Sequence, residues 1–136
     1  MLKGIFLWFR RHEQGFSMLE LMVYIGIIGV LVTFAIPKYT NTIAMANTAK
    51  IQSDLQTLDA AITMYRLQNG NKPSNIATDL AEYVAHADQL KPPTGQCMLK
   101  ESGIIDIKAT EYTIDGEQAK LDGNTVDKFG KNSDNA

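Results

Sequence analysis

The stretch from Gly15 to Pro37 reads GFSMLELMVYIGIIGVLVTFAIP, and it decides how the rest of the chain is interpreted. Its 21 residues from Phe16 to Ile36 contain a single charged side chain, that of Glu20. As a helix that rises about 1.5 Å per residue, they cover roughly 31 Å, which matches the hydrocarbon core of a bilayer. The sequence therefore predicts a transmembrane helix over this stretch.

Glu20 is the residue of this helix that needs an explanation. An ionised side chain inside a membrane helix costs about 2.5 to 3.5 kcal/mol on insertion scales, and such residues usually have a partner or a function. No cation lies near it in the apolar run. The alternative is a carboxylate close enough to the lipid headgroups to reach water.

The same residues carry a family resemblance. The Gly15-Phe16 junction follows a basic leader, Glu20 is the fifth residue counted from Phe16, and the apolar run contains Gly29 and ends at Pro37. This pattern resembles the N-terminal signature of type IV pilins and of their pseudopilin relatives in type II secretion. The signature covers 23 of the 136 residues, and a looser similarity to major pseudopilins extends to about residue 73.

The resemblance implies a fold, a processing reaction and a set of partners. A membrane prepilin peptidase would remove the leader, residues 1–15, by cutting between Gly15 and Phe16, and would methylate the new amino terminus on Phe16. The product would be a structural subunit, not an enzyme, of a pilus or pseudopilus that serves secretion, DNA uptake, adhesion or motility. Its other partners would be further copies of itself, the assembly platform and the minor pilins.

A physical role for Glu20 follows from that cleavage. The cut leaves a cationic amine on Phe16, and a neighbouring copy shifted along the helix axis could bring its amine beside Glu20. Removing one partner of a buried ion pair costs roughly 3 to 5 kcal/mol, because the remaining charge is uncompensated. We therefore expect Glu20 to set the register between subunits.

Gly29 and Pro37 allow two interpretations. Pro37 lacks a backbone donor and costs about 3 kcal/mol inside a helix, which predicts a kink. The resemblance implies instead that the segment from Gly29 to Pro37 can lose its helicity and stretch in a filament. Both interpretations remain open from the sequence.

Charge indicates the orientation of the chain and limits its partners. Residues 1–15 hold three basic side chains against one acid, whereas only Lys38 follows the span closely, so the amino terminus is expected on the cytoplasmic side of the inner membrane. The overall charge of −2 then leaves −4 for residues 16–136. An acidic exterior argues against direct binding of nucleic acid through its phosphates.

Beyond Pro37, the chain becomes an amphipathic helix that we expect to reach Asn69, before Gly70. Its apolar row comprises Ile51, Leu55, Leu58, Ile62 and Tyr65, extended backwards by Ala44 and Thr48. Its opposite side holds Lys50, Asp54, Gln56, Asp59 and Arg66. The row is too short to indicate a coiled coil, which favours packing beneath a small sheet.

The C-terminal part predicts that sheet. A short helix, capped by Ser74-Asn75, is expected from Ile76 to about Ala87. Four strands follow around Asp-Gly hairpin turns, at residues 97–100, 104–109, 112–114 and 118–121, with Val126 and Phe129 as a last strand or an edge plug and a loose tail from Lys131. The predicted fold is α+β and pilin-like, a long N-terminal helix against a three- or four-stranded antiparallel sheet. The expected domains are the leader 1–15, the membrane and filament-core helix 16–37, and residues 38–136.

Catalytic and metal-binding patterns are absent from the sequence. No histidine and cysteine spacing suits a metal, and no motif predicts a cofactor, a phosphate loop or a nucleophile with its base. Cys97 is the single cysteine, so no intramolecular disulfide can form, unlike in many major pilins. The acidic residues between 115 and 127 suit turns better than a calcium loop. The alternative to a filament subunit is a non-polymerising, single-pass anchor for a small binding domain.

Overall fold

The computed structural model of the chain describes residues 15–131. The expected leader before Gly15 and the expected tail after Lys131 lie outside the described residues. The helices are α1 (Met18–Asn69) and α2 (Ile76–Asp79), with 3-10 turns at Ala87–Gln89 and Val126–Lys128. The strands are β1 (Gln96–Leu99), β2 (Gly103–Asp106), β3 (Thr113–Asp115) and β4 (Gln118–Lys120). The predicted α+β class, with one long N-terminal helix and a small antiparallel β region, is confirmed.

The chain divides into two compact units after Lys38. In the first unit the side chains of α1 are exposed, and the most apolar window of the helix has a mean hydropathy of 2.3 with none of it buried. Pro37 lies inside α1. By length and composition, α1 is able to cross a membrane.

The second unit has a hydrophobic core built on the predicted apolar row. Ile51, Leu55, Leu58 and Ile62 are fully buried, and Tyr65 packs partly buried at the edge of the cluster. The rest of the core comes from the loops and strands: Leu80, Val84, Ala87, Cys97, Leu99, Tyr112, Ala119, Leu121 and Phe129. The second half of α1 therefore serves as the support for the C-terminal region, as the periodicity predicts.

The β region consists of two antiparallel ribbons, not the expected sheet of three or four strands. Among the four described strands, β1 pairs with β2, with Cys97 opposite Ile105, and β3 pairs with β4, with Ile114 opposite Ala119. At β4, a side chain of α1 takes the place of a further strand. The backbone N–H of Ala119 donates to Asp59 Oδ1. Two short ribbons on one helix bury their apolar sides without joining.

Phe129 covers the free edge of β1, as expected for a plug. It forms an antiparallel bridge with Leu99, and its side chain is 1% exposed. On either side of it, Lys100 N donates to Lys128 O at 2.9 Å and Gly130 N donates to Met98 O at 3.0 Å. These bonds satisfy backbone groups that would otherwise be open at a sheet edge.

The predicted second helix is much shorter than expected. Asn75 caps it as predicted, since its Oδ1 accepts from Ala77 N at 2.8 Å, but α2 ends at Asp79. The following chain makes an irregular turn, and His86 adopts a left-handed conformation with φ 58° that interrupts any helix before Ala87. Beyond Asp79 this segment is a loop that places Leu80, Val84 and Ala87 in the core.

Candidate processing and assembly site at the start of the long helix

The Gly15-Phe16 junction lies in a short non-helical stretch. Gly15, Phe16 and Ser17 precede α1, whose first backbone hydrogen bond runs from Leu21 N to Ser17 O at 3.0 Å. Phe16 is 70% exposed, and a Cβ added at Gly15 would meet nothing within 4 Å. The peptide bond between Gly15 and Phe16 is therefore accessible and lies outside regular structure.

Glu20 lies in the first turn of α1 and is exposed. A carboxylate at this position interacts favourably with the positive end of the helix macrodipole, an effect of about 0.3 to 1 kcal/mol at exposed sites. Within residues 15–131, no hydrogen bond or ion pair reaches its carboxylate. The helix end thus compensates the charge of Glu20 only in part. The carboxylate oxygens of Glu20 are available to a group from another molecule.

Ser17 is a feature that the sequence analysis did not single out. Ser17-Met18-Leu19-Glu20 has the Ser-x-x-Glu spacing of a capping box, which marks the start of a helix, and this signal was readable in the sequence. α1 begins directly after Ser17. Among the described residues, no side-chain hydrogen bond closes the box, so the spacing marks the helix start without engaging the Glu20 carboxylate.

Tyr24 is a second such feature. Its ring lies against that of Phe16 in an edge-on arrangement, with centroids 5.6 Å apart and planes at 62°. Glu20 lies midway between them in sequence, four residues from each, so Glu20 and Tyr24 share one face of α1. The structure therefore brings the predicted processing and assembly residues together with one aromatic residue that the analysis of the span had left out.

Gly29 and Pro37 lie further along α1 and in helical conformation. A Cβ at Gly29 would meet nothing within 4 Å, and Thr33 Oγ1 donates to Gly29 O at 3.0 Å. Such a bond from threonine to the carbonyl four residues earlier weakens and often bends a helix. The kink and the stretching segment both stay predictions.

The polar side of the second half of α1 is engaged with the C-terminal region. Asp54 is 9% exposed, and its Oδ2 accepts from Tyr112 Oη at 2.6 Å and from Lys50 Nζ at 2.8 Å. Burial, and then the bond to Asp54, raise the pKa of Tyr112. The periodicity placed Asp54 on the polar side, but the burial of a carboxylate there depends on a tyrosine 58 residues away.

The acidic turns bind neighbouring groups of the chain itself. Asp115 pairs with Lys120, whose hydrogen bond and charge lower the Asp115 pKa, and Glu117 pairs with Arg66 at 3.0 Å. Asp122 Oδ2 accepts from Lys108 N at 3.0 Å. Between residues 15 and 131, no group of three or more His, Cys, Asp or Glu side chains is arranged to hold a metal ion.

Cys97 is buried in β1 and free. Burial, followed by the negative charge of Asp122, raises the pKa of its thiol. A thiol held in its neutral form is a weak nucleophile, so the environment of Cys97 suits a structural core residue.

Comparison with known proteins defines the class. Residues 10–36 match the prokaryotic N-terminal methylation motif, which spans the Gly15-Phe16 junction and Glu20. The chain thus carries a methylation motif that leads into a helix long and apolar enough to cross a membrane.

Three relatives illustrate what the chain is similar to. The chain is 38% identical over 64 residues to type II secretion system core protein G of Klebsiella pneumoniae, covering 47% of this chain and 46% of that protein. It is 39% identical over 62 residues to the core protein G of Escherichia coli, covering 46% and 43%. It is also 25% identical over 122 residues to a fimbrial protein of Neisseria meningitidis, covering 90% of this chain and 68% of that protein.

The matches have limits that matter for function. The alignments span less than half the length of these type II secretion relatives. No solved structure gives a significant match to the chain. Pilins and pseudopilins are structural subunits and not enzymes, which agrees with the prediction from the sequence.

Proposed function

We propose that this chain is a subunit of a type IV pilus or of a related pseudopilus filament. The observation that carries the proposal is the exposed apolar half of α1, in which one carboxylate, that of Glu20, has no partner within residues 15–131. This half directly follows an accessible Gly15-Phe16 junction inside a methylation motif. Such a helix is stable in lipid or in the core of an assembly, and its charge calls for a cation from outside the chain.

Processing supplies that cation. A prepilin peptidase cleaves between Gly15 and Phe16, removes residues 1–15 and methylates the amine of Phe16. The exposed, non-helical junction supports this step, because a peptidase must bind its substrate in an extended conformation that a helix does not offer. The secondary amine that results is cationic at neutral pH.

Assembly then proceeds by self-association. The apolar halves of α1 leave the membrane and pack together, while the amine on Phe16 of one copy pairs with Glu20 of another that is shifted along the axis. Contacts of this staggered kind do not close, so they build a fibre. The segment from Gly29 to Pro37, with its missing backbone donor and its threonine bond, is the part of α1 that yields first when the fibre is pulled.

The cell places the chain in the inner membrane before assembly. The basic leader holds the amino terminus in the cytoplasm, and residues 38–136 lie on the outer side. Besides the peptidase, the assembly platform and the minor pilins are its partners. The names of the relatives support a secretion pseudopilus and a fimbrial filament as the two kinds of assembly to examine first.

The Glu20→Ala variant tests the pairing role. We expect normal membrane insertion and processing, but incorporation into filaments at least about tenfold lower, because the amine of the neighbouring copy is left uncompensated. Immunoblots of sheared filament and membrane fractions measure the two pools. The amount of the processed chain in the membrane should be unchanged or higher.

Glu82→Ala is the matched control, since Glu82 is an exposed acid of the second unit and its removal changes the net charge equally. We expect it to enter filaments like the wild-type chain. Normal filament yield from Glu20→Ala, or an equal loss from Glu82→Ala, would contradict the pairing role.

A further inference from the structure

The start of α1 contains an aromatic contact that the proposed function does not use. Phe16 lies outside the helix, and Tyr24 lies eight residues later, yet their rings are in edge-on contact at 5.6 Å. Side chains on a helix lean towards its amino terminus, so the Tyr24 ring points back along α1 towards the junction. The Phe16 side chain must turn in the opposite direction to meet it.

This contact restrains the residue on one side of the candidate scissile bond. The described residues show no other ring contact and no side-chain hydrogen bond for Phe16, which is 70% exposed. Tyr24 is 46% exposed, so the pair stands on the surface of the helix and is formed by these two rings alone. Edge-on aromatic pairs are attractive beyond the area that they bury, because the positive edge of one ring meets the negative face of the other.

We propose that Tyr24 is a positioning residue for the processing of the Gly15-Phe16 bond. By holding the Phe16 ring against the first turns of α1, Tyr24 restrains Phe16 in the non-helical stretch that the peptidase would bind. In the cleavage step, water adds across the amide, the C–N bond between Gly15 and Phe16 breaks, Gly15 takes the carboxylate and Phe16 takes the amine. Tyr24 contacts none of the reacting atoms and acts only through the Phe16 ring. This inference rests on the proposed processing of the chain.

The ring of Tyr24, and not its hydroxyl, carries the effect. No hydrogen bond of the Tyr24 hydroxyl is found within residues 15–131. The conservative variant Tyr24→Phe should therefore keep the positioning role, whereas Tyr24→Val should lose it. Phe34→Val removes an aromatic ring that lies 74% exposed in the same apolar half of α1, far along the sequence from the junction, and is the matched control.

The experiment uses the full chain in detergent-solubilised membranes with added prepilin peptidase, and it follows the loss of the leader by mass spectrometry. We expect kcat/KM for cleavage to fall about threefold to tenfold in Tyr24→Val, the range of an aromatic pair. Tyr24→Phe and Phe34→Val should be cleaved like the wild-type chain. In a Phe16→Ala background, Tyr24→Val should have no further effect, because the partner ring is already missing.

The outcomes separate this inference from the proposed function. Cleavage of Tyr24→Val at the wild-type rate, an equal loss in Phe34→Val, or an undiminished effect in the Phe16→Ala background would overturn the positioning role while leaving the processing site in place. A wild-type chain that the peptidase does not cut would overturn both. Circular dichroism should show the same helix content in all the variants.

Discussion

Asp59 and Asp79 accept backbone hydrogen bonds in opposite electrostatic surroundings. Asp59 accepts from Ala119 N at 2.6 Å, but burial outweighs this bond and raises the pKa of Asp59 above its ordinary 3.8. Asp79 is partly exposed, and its bonds from Ser74 N and Asn75 N lower its pKa below 3.8. The two carboxylates therefore affect the pH dependence of folding with opposite signs.

The Asp59→Asn variant tests the raised pKa. The folded state holds the Asp59 proton more tightly than the unfolded state does, so its stabilising contribution is complete below pH 3.8 and is lost as the pH rises through the folded pKa. An asparagine can still accept from Ala119 N while burying no charge. We expect the free energy of unfolding of the variant to gain on that of the wild type as the pH rises from about 4 to 7.

Asp79→Asn is the control of opposite sign. In the wild type, the Asp79 carboxylate stabilises the fold above pH 3.8, and that contribution is lost as the pH falls through the lower pKa of the folded state. The variant should be less stable than the wild type at pH 7 and should approach it below pH 4. Urea unfolding of the full chain in micelles, followed by near-ultraviolet circular dichroism, measures both; a parallel pH profile for Asp59→Asn and the wild type would contradict the assignment.

Individual residues can be predicted from the sequence when their neighbours along the chain define their role. Gly15, Phe16 and Glu20 are recognisable because their spacing along the chain is itself the signal, and the methylation motif matches over them. The burial of Asp54 and the engagement of Asp59 could not be predicted. Their partners, Tyr112 and Ala119, lie about 60 residues away, and only the tertiary fold brings them together.

The second half of α1 holds the C-terminal backbone through polar side chains as well as through its apolar row. Thr48 Oγ1 accepts from Met98 N at 2.7 Å, Gln52 Nε2 donates to Phe129 O at 2.8 Å, and Asn47 Nδ2 donates to Gln96 O at 2.9 Å. These bonds join one helix to β1 and to the segment that covers its edge. In a chain with a single cysteine, they fix the C-terminal region where a disulfide is impossible.

The Thr48→Val variant tests how much these hydrogen bonds stabilise the fold. Valine has the shape of threonine but no oxygen, so Met98 N would be left without its acceptor beside a buried side chain. We expect a loss of about 1 to 3 kcal/mol in the free energy of unfolding, the usual cost of an unsatisfied buried donor. Urea unfolding of the full chain in micelles measures it.

Thr57→Val is the matched control. Thr57 is exposed, and within the described residues its hydroxyl donates to Ser53 O of the same helix at 2.8 Å. Its replacement should change the stability by no more than about 0.5 kcal/mol. Equal losses from the two variants would mean that the bond to Met98 has no particular importance.

Helices and strands could be predicted where the apolar periodicity or the turn residues alone determine them. The apolar row defined the buried face of α1, and the Asp-Gly turns located β3 and β4 to within about one residue. The predicted length of the second helix was wrong, because an irregular loop and not a helix buries Leu80 and Ala87. The prediction of a single sheet was wrong, because Asp59 of α1 accepts from Ala119 N, a backbone donor of β4 that a further strand would have used.

At the scale of the whole molecule, the two units differ in what they leave exposed. The second unit buries the apolar row of the second half of α1 in its core, and its loops and strands bond to Asp54, Asp59 and Arg66 of that helix. Between residues 15 and 38, the described part of the first unit, the apolar side chains are exposed and the carboxylate of Glu20 has no partner within residues 15–131. This contrast is what the proposed function explains, because lipid or other copies of the chain would cover the exposed apolar half of α1.

The most direct test of the account is the mass of the chain recovered from native membranes and from sheared surface filaments, with Gly15→Val as the uncut control. We predict a chain that begins at methylated Phe16 and occurs in both fractions, while the Gly15→Val chain keeps its leader and stays in the membrane. A wild-type chain that retains Met1 to Gly15 and never enters a filament would contradict the account.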